Sequence, residues 1–315
     1  MHSCAWPLRL LPLLLLTLPA VAQARYSYTT NDGAIRITGY AGPGDAVTIP
    51  STIDGLPVTS IGNSAFSGAS LTSVTIPDGV TNIGDYAFGG CWRLASVTMG
   101  NSVTSIGDSA FNACHSLTSV TIGNSVTRIG DYAFDHCLSL TCVTIGGNVT
   151  SIGQSAFGGC LSLASVTIPG SVTRIGAEAF ASCNSLSAVY FQGNAPALGG
   201  PCVFDGGCNA TAYYLPGTAG WGSTFGGLPT ALWTLPCPLI LNHRSSLGVQ
   251  TNGFSFIISW ATNLSVVVEA STNLANPVWT PVATNTLSSG ASYFTDPQWR
   301  NYPGRFYRVT SALVQ

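Results

Sequence analysis

The sequence predicts a mainly β fold with short helical turns: a solenoid of 23-residue repeats followed by a small antiparallel β-sandwich. Three observations lead to this prediction. Large apolar residues recur at a fixed step through the middle of the chain, and short apolar–polar alternations accompany them. Residues 235–315 lack the repeat and hold short apolar runs separated by turn-forming residues, which is typical of a sandwich.

The repeat is visible in two residue types. Leucines recur at every 23rd position, at Leu71, Leu94, Leu117, Leu140, Leu163 and Leu186. Phenylalanines keep the same step at Phe88, Phe111, Phe134, Phe157 and Phe180. Phe66 lies 22 positions before Phe88, one fewer than the regular step. A period of 23 lies inside the 20–29 residues of leucine-rich repeats. The middle of the chain is therefore predicted to be a leucine-rich-repeat solenoid.

Each part of one repeat has a predicted local structure. Val120 to Ile122 alternate apolar and polar residues, which indicates a strand with one buried face. Gly130 recurs in every repeat, which suggests a backbone corner that glycine forms at low cost. Asp131 then begins a predicted short helical or 3₁₀ turn as its N-cap. Since one repeat cannot bury its own apolar side, successive repeats are expected to stack with parallel strands ~4.8 Å apart.

The ends of the repeat region set the predicted domain boundaries. Residues 1–24 read as a signal peptide, with Arg9, a short apolar run and small residues before a cleavage site. Residues 25–46 form a capping hairpin around Asn31-Asp32-Gly33, and the solenoid occupies 47–192. A C-terminal cap follows over 193–234, because an open sheet edge needs a cover, and the sandwich takes 235–315. No later segment is long and apolar enough to span a membrane.

Composition excludes some classes of partner. Charged residues make up 7% of the chain, lysine is absent, and the formal net charge is −2. Binding to nucleic acid or to anionic lipid needs clustered cations, so neither is expected. The sequence also lacks a Gly-x-Ser-x-Gly nucleophile motif, and its repeated acids occur singly at turn starts rather than as a pair. A non-enzymatic protein without cofactors is the prediction.

Cysteines form a ladder of their own, each just after a repeated phenylalanine in the pattern Phe-x-x-Cys. Adjacent ladder positions point in parallel ~4.8 Å apart, whereas a disulfide prefers converging Cβ atoms at about 3.8 Å. Free, buried, unreactive thiols are therefore expected at Cys91, Cys114, Cys137, Cys160 and Cys183. Cys202 and Cys208 in the cap are candidates for a disulfide. A zinc site at Cys114-His115 and His136-Cys137 is not favoured, because no Cys-x-x-Cys or His-Glu-x-x-His accompanies them, and no metal is expected.

The outward side of the predicted strands is the candidate binding surface. Its small polar residues allow two interpretations. Threonine favours strands and keeps a surface with few charges solvated, or these residues contact a ligand. A second row of threonines runs from Thr59 to Thr173, and Arg128 and Arg174 interrupt that surface. The candidate contact residues are Ser73, Thr75, Ser96, Thr98, Ser119, Thr121, Thr144, Ser165, Thr167 and Tyr190.

The unit Leu-Thr-Ser-Val-Thr-Ile…Val-Thr-x-Ile-Gly-Asp-x-Ala-Phe-x-x-Cys resembles the BspA-like class of bacterial leucine-rich repeats over residues 45–192. The tail is similar to a C-terminal sandwich of proteins secreted by environmental bacteria. The resemblance implies a secreted or cell-surface protein that binds an extracellular protein or glycan, in some relatives as an adhesin. Two alternatives remain at this point: a structural component of an envelope or matrix, and a carbohydrate-binding or polysaccharide-active protein working through the tail.

In the tail, six aromatic residues allow two interpretations. They either fill the core of the sandwich, which is the preferred prediction, or form a platform for carbohydrate. The residues are Trp260, Trp279, Trp299, Tyr302, Phe306 and Tyr307.

Overall fold

A computed structural model describes residues 25–206, 209–233, 239–241, 248–250, 253–260, 264–288 and 291–311. The predicted signal peptide, residues 1–24, lies outside this part of the chain. Among the described residues, no helix is long and apolar enough to cross a membrane.

The N-terminal end of the solenoid is a hairpin. Strand β1 (Tyr26–Asn31) pairs antiparallel with β2 (Ala34–Tyr40). Asp32 and Gly33 form the turn with φ of 48° and 74°, the left-handed pair that a two-residue hairpin turn requires. Because β2 then pairs in parallel with a strand of the first coil, Leu56–Ile61, the hairpin joins the core instead of leaving it open.

Each coil contributes two strands, one to each of two faces. On the first face lie β3 (Ala46–Thr48), β6 (Ser73–Thr75), β8 (Ser96–Thr98), β10 (Ser119–Ile122), β12 (Cys142–Ile145), β14 (Ser165–Ile168) and β16 (Ala188–Phe191). On the second face lie β5 (Leu56–Ile61), β7 (Asn82–Ile83), β9 (Ser105–Ile106), β11 (Arg128–Ile129), β13 (Ser151–Ile152), β15 (Arg174–Ile175) and β17 (Ala197–Leu198). The insertion in the first coil adds β4 (Thr52–Ile53), which folds back antiparallel on β5.

Equivalent residues of successive coils lie in parallel register. Thr121 pairs with Thr144 on the first face, and Ile129 pairs with Ile152 on the second. The second face is one continuous sheet from β1 to β17. Backbone pairing divides the first face into two sheets, β3 to β12 and β14 onward, so its surface has a seam between β12 and β14.

A stack of phenylalanine rings runs through the core. Phe88, Phe111 and Phe134 lie one above another, with ring centroids 5.1 and 5.2 Å apart and planes within 5° of parallel. The stack extends from Phe66 to Phe204, every ring is at most 3% exposed, and Tyr40 covers its first member at 5.1 Å. The in-register stacking that the repeat period predicts is confirmed.

The segment predicted as a short helical turn contains no helix. Tyr132, Phe134 and His136 donate their backbone N–H groups to Gln154, Ala156 and Gly158 of the next coil. The intervening N–H groups close tight turns within the segment, as from Asp135 to Tyr132. This alternation requires left-handed residues, with φ of 58° at Tyr132 and 56° at His136. Inter-coil hydrogen bonds thus take the place of the i→i−4 bonds of an α-helix, and the bonds within the segment are the i→i−3 bonds of the 3₁₀ alternative.

Two other residues of the repeat serve a purpose that differs from the predicted one. Gly130 has no left-handed φ; a Cβ there would lie 2.6 Å from the carbonyl carbon of Gly107 in the preceding coil. Asp108 does not cap a helix; its Oδ1 accepts the backbone N–H of Asp131, one coil later, at 2.9 Å. Close approach of the coils therefore explains the glycine, and a backbone donor that needs a partner explains the acid.

The C-terminal end of the solenoid is closed by aromatic residues. Strands β18 (Thr211–Tyr214), β19 (Thr224–Phe225) and β20 (Leu228–Leu232) follow the last coil. Trp221 packs against Phe191 and Phe225, with ring centroids 4.8 and 4.9 Å away. These rings cover the end of the apolar core.

The tail contains two antiparallel sheets around a separate core. Strands β21 (Leu239–Leu241), β22 (Gly248–Gln250), β23 (Gly253–Ser259) and β26 (Ala291–Asp296) form one sheet. Strands β24 (Ser265–Ser271), β25 (Thr280–Thr286) and β27 (Phe306–Ser311) form the other, and a 3₁₀ turn spans Trp299–Asn301. Phe256, Ile258, Val266, Val268 and Phe294 are buried between them. The sandwich prediction agrees with this arrangement.

Candidate functional site

The ten candidate contact residues lie on the first face, as their alternation predicts. Seven of them are exposed and three, Ser73, Thr167 and Tyr190, are half-buried. Neighbouring residues in the strands point into the core, as Val120 and Ile122 do at 3% and 1% exposure. Parallel register aligns the outward residues of adjacent strands, as for Thr121 and Thr144. The result is an uncharged wall of hydroxyl groups.

The second row of threonines is arranged differently. The side-chain Oγ1 of Thr104 donates to the backbone carbonyl of Thr81 at 2.9 Å, and Thr150 donates in the same way to Thr127 at 3.0 Å. The backbone N–H of each threonine donates to the same carbonyl. Within the described chain, the ten first-face residues make no such side-chain bond. The second row is therefore structural, whereas the first-face hydroxyls keep their donors and acceptors for other partners.

Aromatic residues end the first-face array at its C-terminal side. Tyr190 continues the row of Thr167, and the ring of Tyr213 stacks on it with centroids 5.2 Å apart. The ring of Trp233 lies 4.8 Å from that of Tyr190, and all three are half-buried. Only Tyr190 was predicted from the sequence. Tyr213 follows Tyr190 by one full repeat period, and that spacing was the available signal.

The cysteine ladder lies inside the solenoid. All five cysteines of the ladder are fully buried, and Cys91, Cys114, Cys137 and Cys160 are free thiols. Each Sγ donates to the carbonyl of a phenylalanine in the preceding coil, as from Cys137 to Phe111 at 3.3 Å. Burial raises the pKa of Cys91 to about 11 and that of Cys137 well above its ordinary value. A protonated, enclosed thiol is a poor nucleophile and a poor metal ligand.

The other sulfur and histidine candidates are not brought together. Cys202 is half-exposed, and Cys208 lies outside the described residues, so their disulfide stays a prediction. His115 and His136 are exposed while Cys114 and Cys137 are buried. No group of three or more His, Cys, Asp or Glu residues suited to a metal occurs in the described part of the chain.

The aromatic residues of the tail divide between core and surface. Trp260 is 9% exposed and Tyr307 packs against the core, in agreement with the preferred prediction. Tyr302 and Phe306 are exposed, so the core prediction was wrong for these two. Arg305 stacks over the ring of Tyr302 at 4.1 Å and pairs with Asp296 at 3.2 Å, beside a cavity of about 230 Å³.

Comparison with known proteins agrees with the coil geometry. Residues 58–200 match the family model described as the BspA type leucine rich repeat region, in six copies. The structure is similar to that of a T. pallidum leucine-rich-repeat protein, with 35% identity and a TM-score of 0.51, covering 53% of this chain and 83% of that one. It is also similar to a leucine-rich cell surface protein from Faecalibacterium prausnitzii, with 35% identity and a TM-score of 0.43, covering 53% of each chain. No curated protein matches. The chain belongs to the BspA-type leucine-rich-repeat family.

Proposed function

We propose that the protein is an exported, non-catalytic binding protein whose first face contacts an extracellular protein or glycan. The observation that carries this proposal is the difference between the two rows of hydroxyls. Second-face threonines such as Thr150 are hydrogen-bonded to the backbone, whereas first-face residues such as Thr121 and Thr144 are exposed without such bonds. Unengaged donors and acceptors on a rigid sheet are suited to recognition by hydrogen bonds.

The aromatic end of the array supplies the second element of a binding surface. Contact surfaces derive most of their affinity from a few large residues, with tyrosine and tryptophan prominent among them. Tyr190, Tyr213 and Trp233 lie together next to the hydroxyl wall and remain half-exposed. A ligand laid along the face would contact these rings at one end and hydroxyl groups along its length.

Glycan and protein arrays probed with the mature protein provide the test. The informative variant is Thr121→Lys, which places a long charged side chain in the middle of the first face. The matched control is Thr127→Lys in the same coil on the second face, and both residues are exposed. We expect saturable binding to a defined ligand that the first variant weakens at least tenfold and the control retains. Equal loss in both variants, or no binding on either array, would contradict the proposal.

A second candidate function rests on the tail. Exposed Tyr302 lines, with Arg305, the cavity of about 230 Å³, and an exposed aromatic ring beside a polar cleft suits a sugar. Retention of the protein on an insoluble polysaccharide that is lost in Tyr302→Ala but kept in Thr121→Lys would favour this candidate.

A further inference from the structure

One row of side chains on the second face differs from the rest of the solenoid in charge. The row passes in register through one residue of each short strand, from Arg36 of β2 to Ala197 of β17. Residues 25–233 hold five arginines and ten acidic residues, a formal charge of 5 − 10 = −5. Three of the five arginines, Arg36, Arg128 and Arg174, nevertheless share this row. The row is therefore a basic strip on an acidic solenoid.

Arg128 and Arg174 occupy the same position two coils apart but have different neighbours. Arg128 forms an ion pair at 3.4 Å with Asp108, which belongs to the preceding coil. The equivalent residue in the coil that precedes Arg174 is Gln154, which carries no charge. No carboxylate among the described residues forms an ion pair with Arg174, and its side chain is exposed.

Arg174 lines a groove on the second face of the solenoid. This groove has a volume of about 830 Å³ and crosses β11, β13, β15 and β17. Arg128, Ser151 and Arg174 lie side by side in register along the groove, and Gln154 adds an amide. Two strand spacings separate the arginines, or about 9.6 Å between their backbones. The groove is thus long enough to accept a polymer segment rather than a single ion.

We propose that this groove binds a carboxylate-bearing polysaccharide, with Arg174 as the residue that pairs with the carboxylate. The planar guanidinium matches a carboxylate with two parallel hydrogen bonds. Hydroxyl and amide groups beside it match sugar hydroxyls. A protein partner is less suited, because no aromatic residue lines the groove, and Ile152 and Ile175 at its floor are buried. This site lies on the second face, whereas the function proposed above uses the first face, so the two proposals are independent.

The acids near the groove determine where the anion binds. Asp131 lies at the Arg128 end, where its Oδ1 accepts the backbone N–H of Gln154 at 2.8 Å. Glu178, in the turn that follows Arg174, accepts a hydrogen bond from Ser155 at 3.3 Å. Asp108 and Asp131 both lower the positive potential around Arg128. The carboxylate therefore binds at Arg174, and the sugar chain extends toward Ser151.

Titration with polygalacturonate and with its fully methyl-esterified form tests the proposal, using the mature protein at about 0.1 M and about 1 M salt. We expect saturable binding to the acid form that weakens at high salt and is absent with the ester. Arg174→Ser removes the cation and matches Ser151 and Ser105 of the same row, so the coil should fold normally. This variant should lose about tenfold in affinity.

A second variant reproduces the environment of Arg128 around Arg174. Gln154→Asp supplies the missing carboxylate at a position where Asp108 and Asp131 already fit the backbone, and it should weaken binding as much as Arg174→Ser does. Arg93→Ser removes a cation elsewhere on the solenoid and should leave binding unchanged. Unchanged affinity in Arg174→Ser, equal loss in Arg93→Ser, or binding of the esterified polymer would overturn the proposal. Tighter binding of poly-L-glutamate than of polygalacturonate would overturn it in favour of an acidic protein.

Discussion

The phenylalanine stack gives the sharpest test of the fold. Phe134 is 0% exposed, and its ring lies 5.2 Å from Phe111 and 5.3 Å from Phe157, within 4° of parallel to each. Phe134→Ala would remove buried apolar surface, leave a cavity and break two ring contacts. Core Phe→Ala changes cost about 3–5 kcal/mol, so we expect a loss near 4 kcal/mol in the free energy of unfolding. That is a large part of the roughly 5–15 kcal/mol that stabilises an ordinary domain.

Urea denaturation followed by circular dichroism measures this loss. The control is Ser119→Ala on the exposed first face, which should stay within about 0.5 kcal/mol of the unchanged protein. A double-mutant cycle adds a specific readout. Phe111 and Phe134 touch, so their alanine variants should couple by about 0.5–3 kcal/mol, whereas Phe88 and Phe180 have three rings between them and should be additive. A loss below about 1.5 kcal/mol for Phe134→Ala, or equal coupling in both pairs, would refute the stacked core.

Three substitutions and one pH dependence provide further tests of the solenoid. Asp108→Ala should cost about 1–2 kcal/mol, because the backbone N–H of the next coil loses its acceptor, and Asp108→Asn should recover most of this in thermal melts. Gly130→Ala should cost about 1–3 kcal/mol by steric overlap, while Gly147→Ala, whose Cβ would meet only a side-chain oxygen 3.8 Å away, should cost far less. Ala113→Gly should stabilise by about 0.5–1 kcal/mol in urea, because Ala113 has a φ of 56° that glycine adopts freely; a destabilised variant would contradict this. Burial raises the pKa of thiols such as Cys137, so the folded state keeps protons that unfolded thiols lose above about pH 8.5. Their contribution to stability is complete below that pH and is lost as the pH rises toward the folded pKa; a urea midpoint that is constant from about pH 8 to 11 would disagree.

The structural features that follow from the repeat period could be predicted from the sequence alone. Side chains that recur once in every repeat must stack if the coils stack, so the ladder that contains Phe134 and the outward position of Thr121 could both be predicted. The strands of the tail were also predictable, because short apolar runs between turn-forming residues, such as 254–260, coincide with strands such as β23.

The direction of each backbone hydrogen bond could not be predicted in this way. Tyr132 and His136 adopt left-handed φ because their N–H groups bond to the next coil, and local propensity gives no sign of that partner. The same limit applies to Asp131, whose spacing fits a helix cap although its carboxylate accepts a bond from residue 154. The Arg174 groove also depends on inter-coil geometry. The ion pair between Arg128 and Asp108 identifies the position from which a carboxylate can reach the arginine, and only then is it clear that Arg174 lacks such a carboxylate.

The ring stack also tolerates changes in coil length. The chain from Phe66 to Phe88 is one residue shorter than the regular period, and the chain from Phe180 to Phe204 is one residue longer. The ring centroids of these two pairs are nevertheless separated by 4.9 and 5.7 Å, close to the spacing of the regular coils. One residue can thus be gained or lost in a loop without shifting the rings. A duplicated coil inserted between two others would lengthen the protein by about 5 Å and leave its neighbours in place. Gene duplication can therefore adjust the reach of such a protein in small, uniform steps.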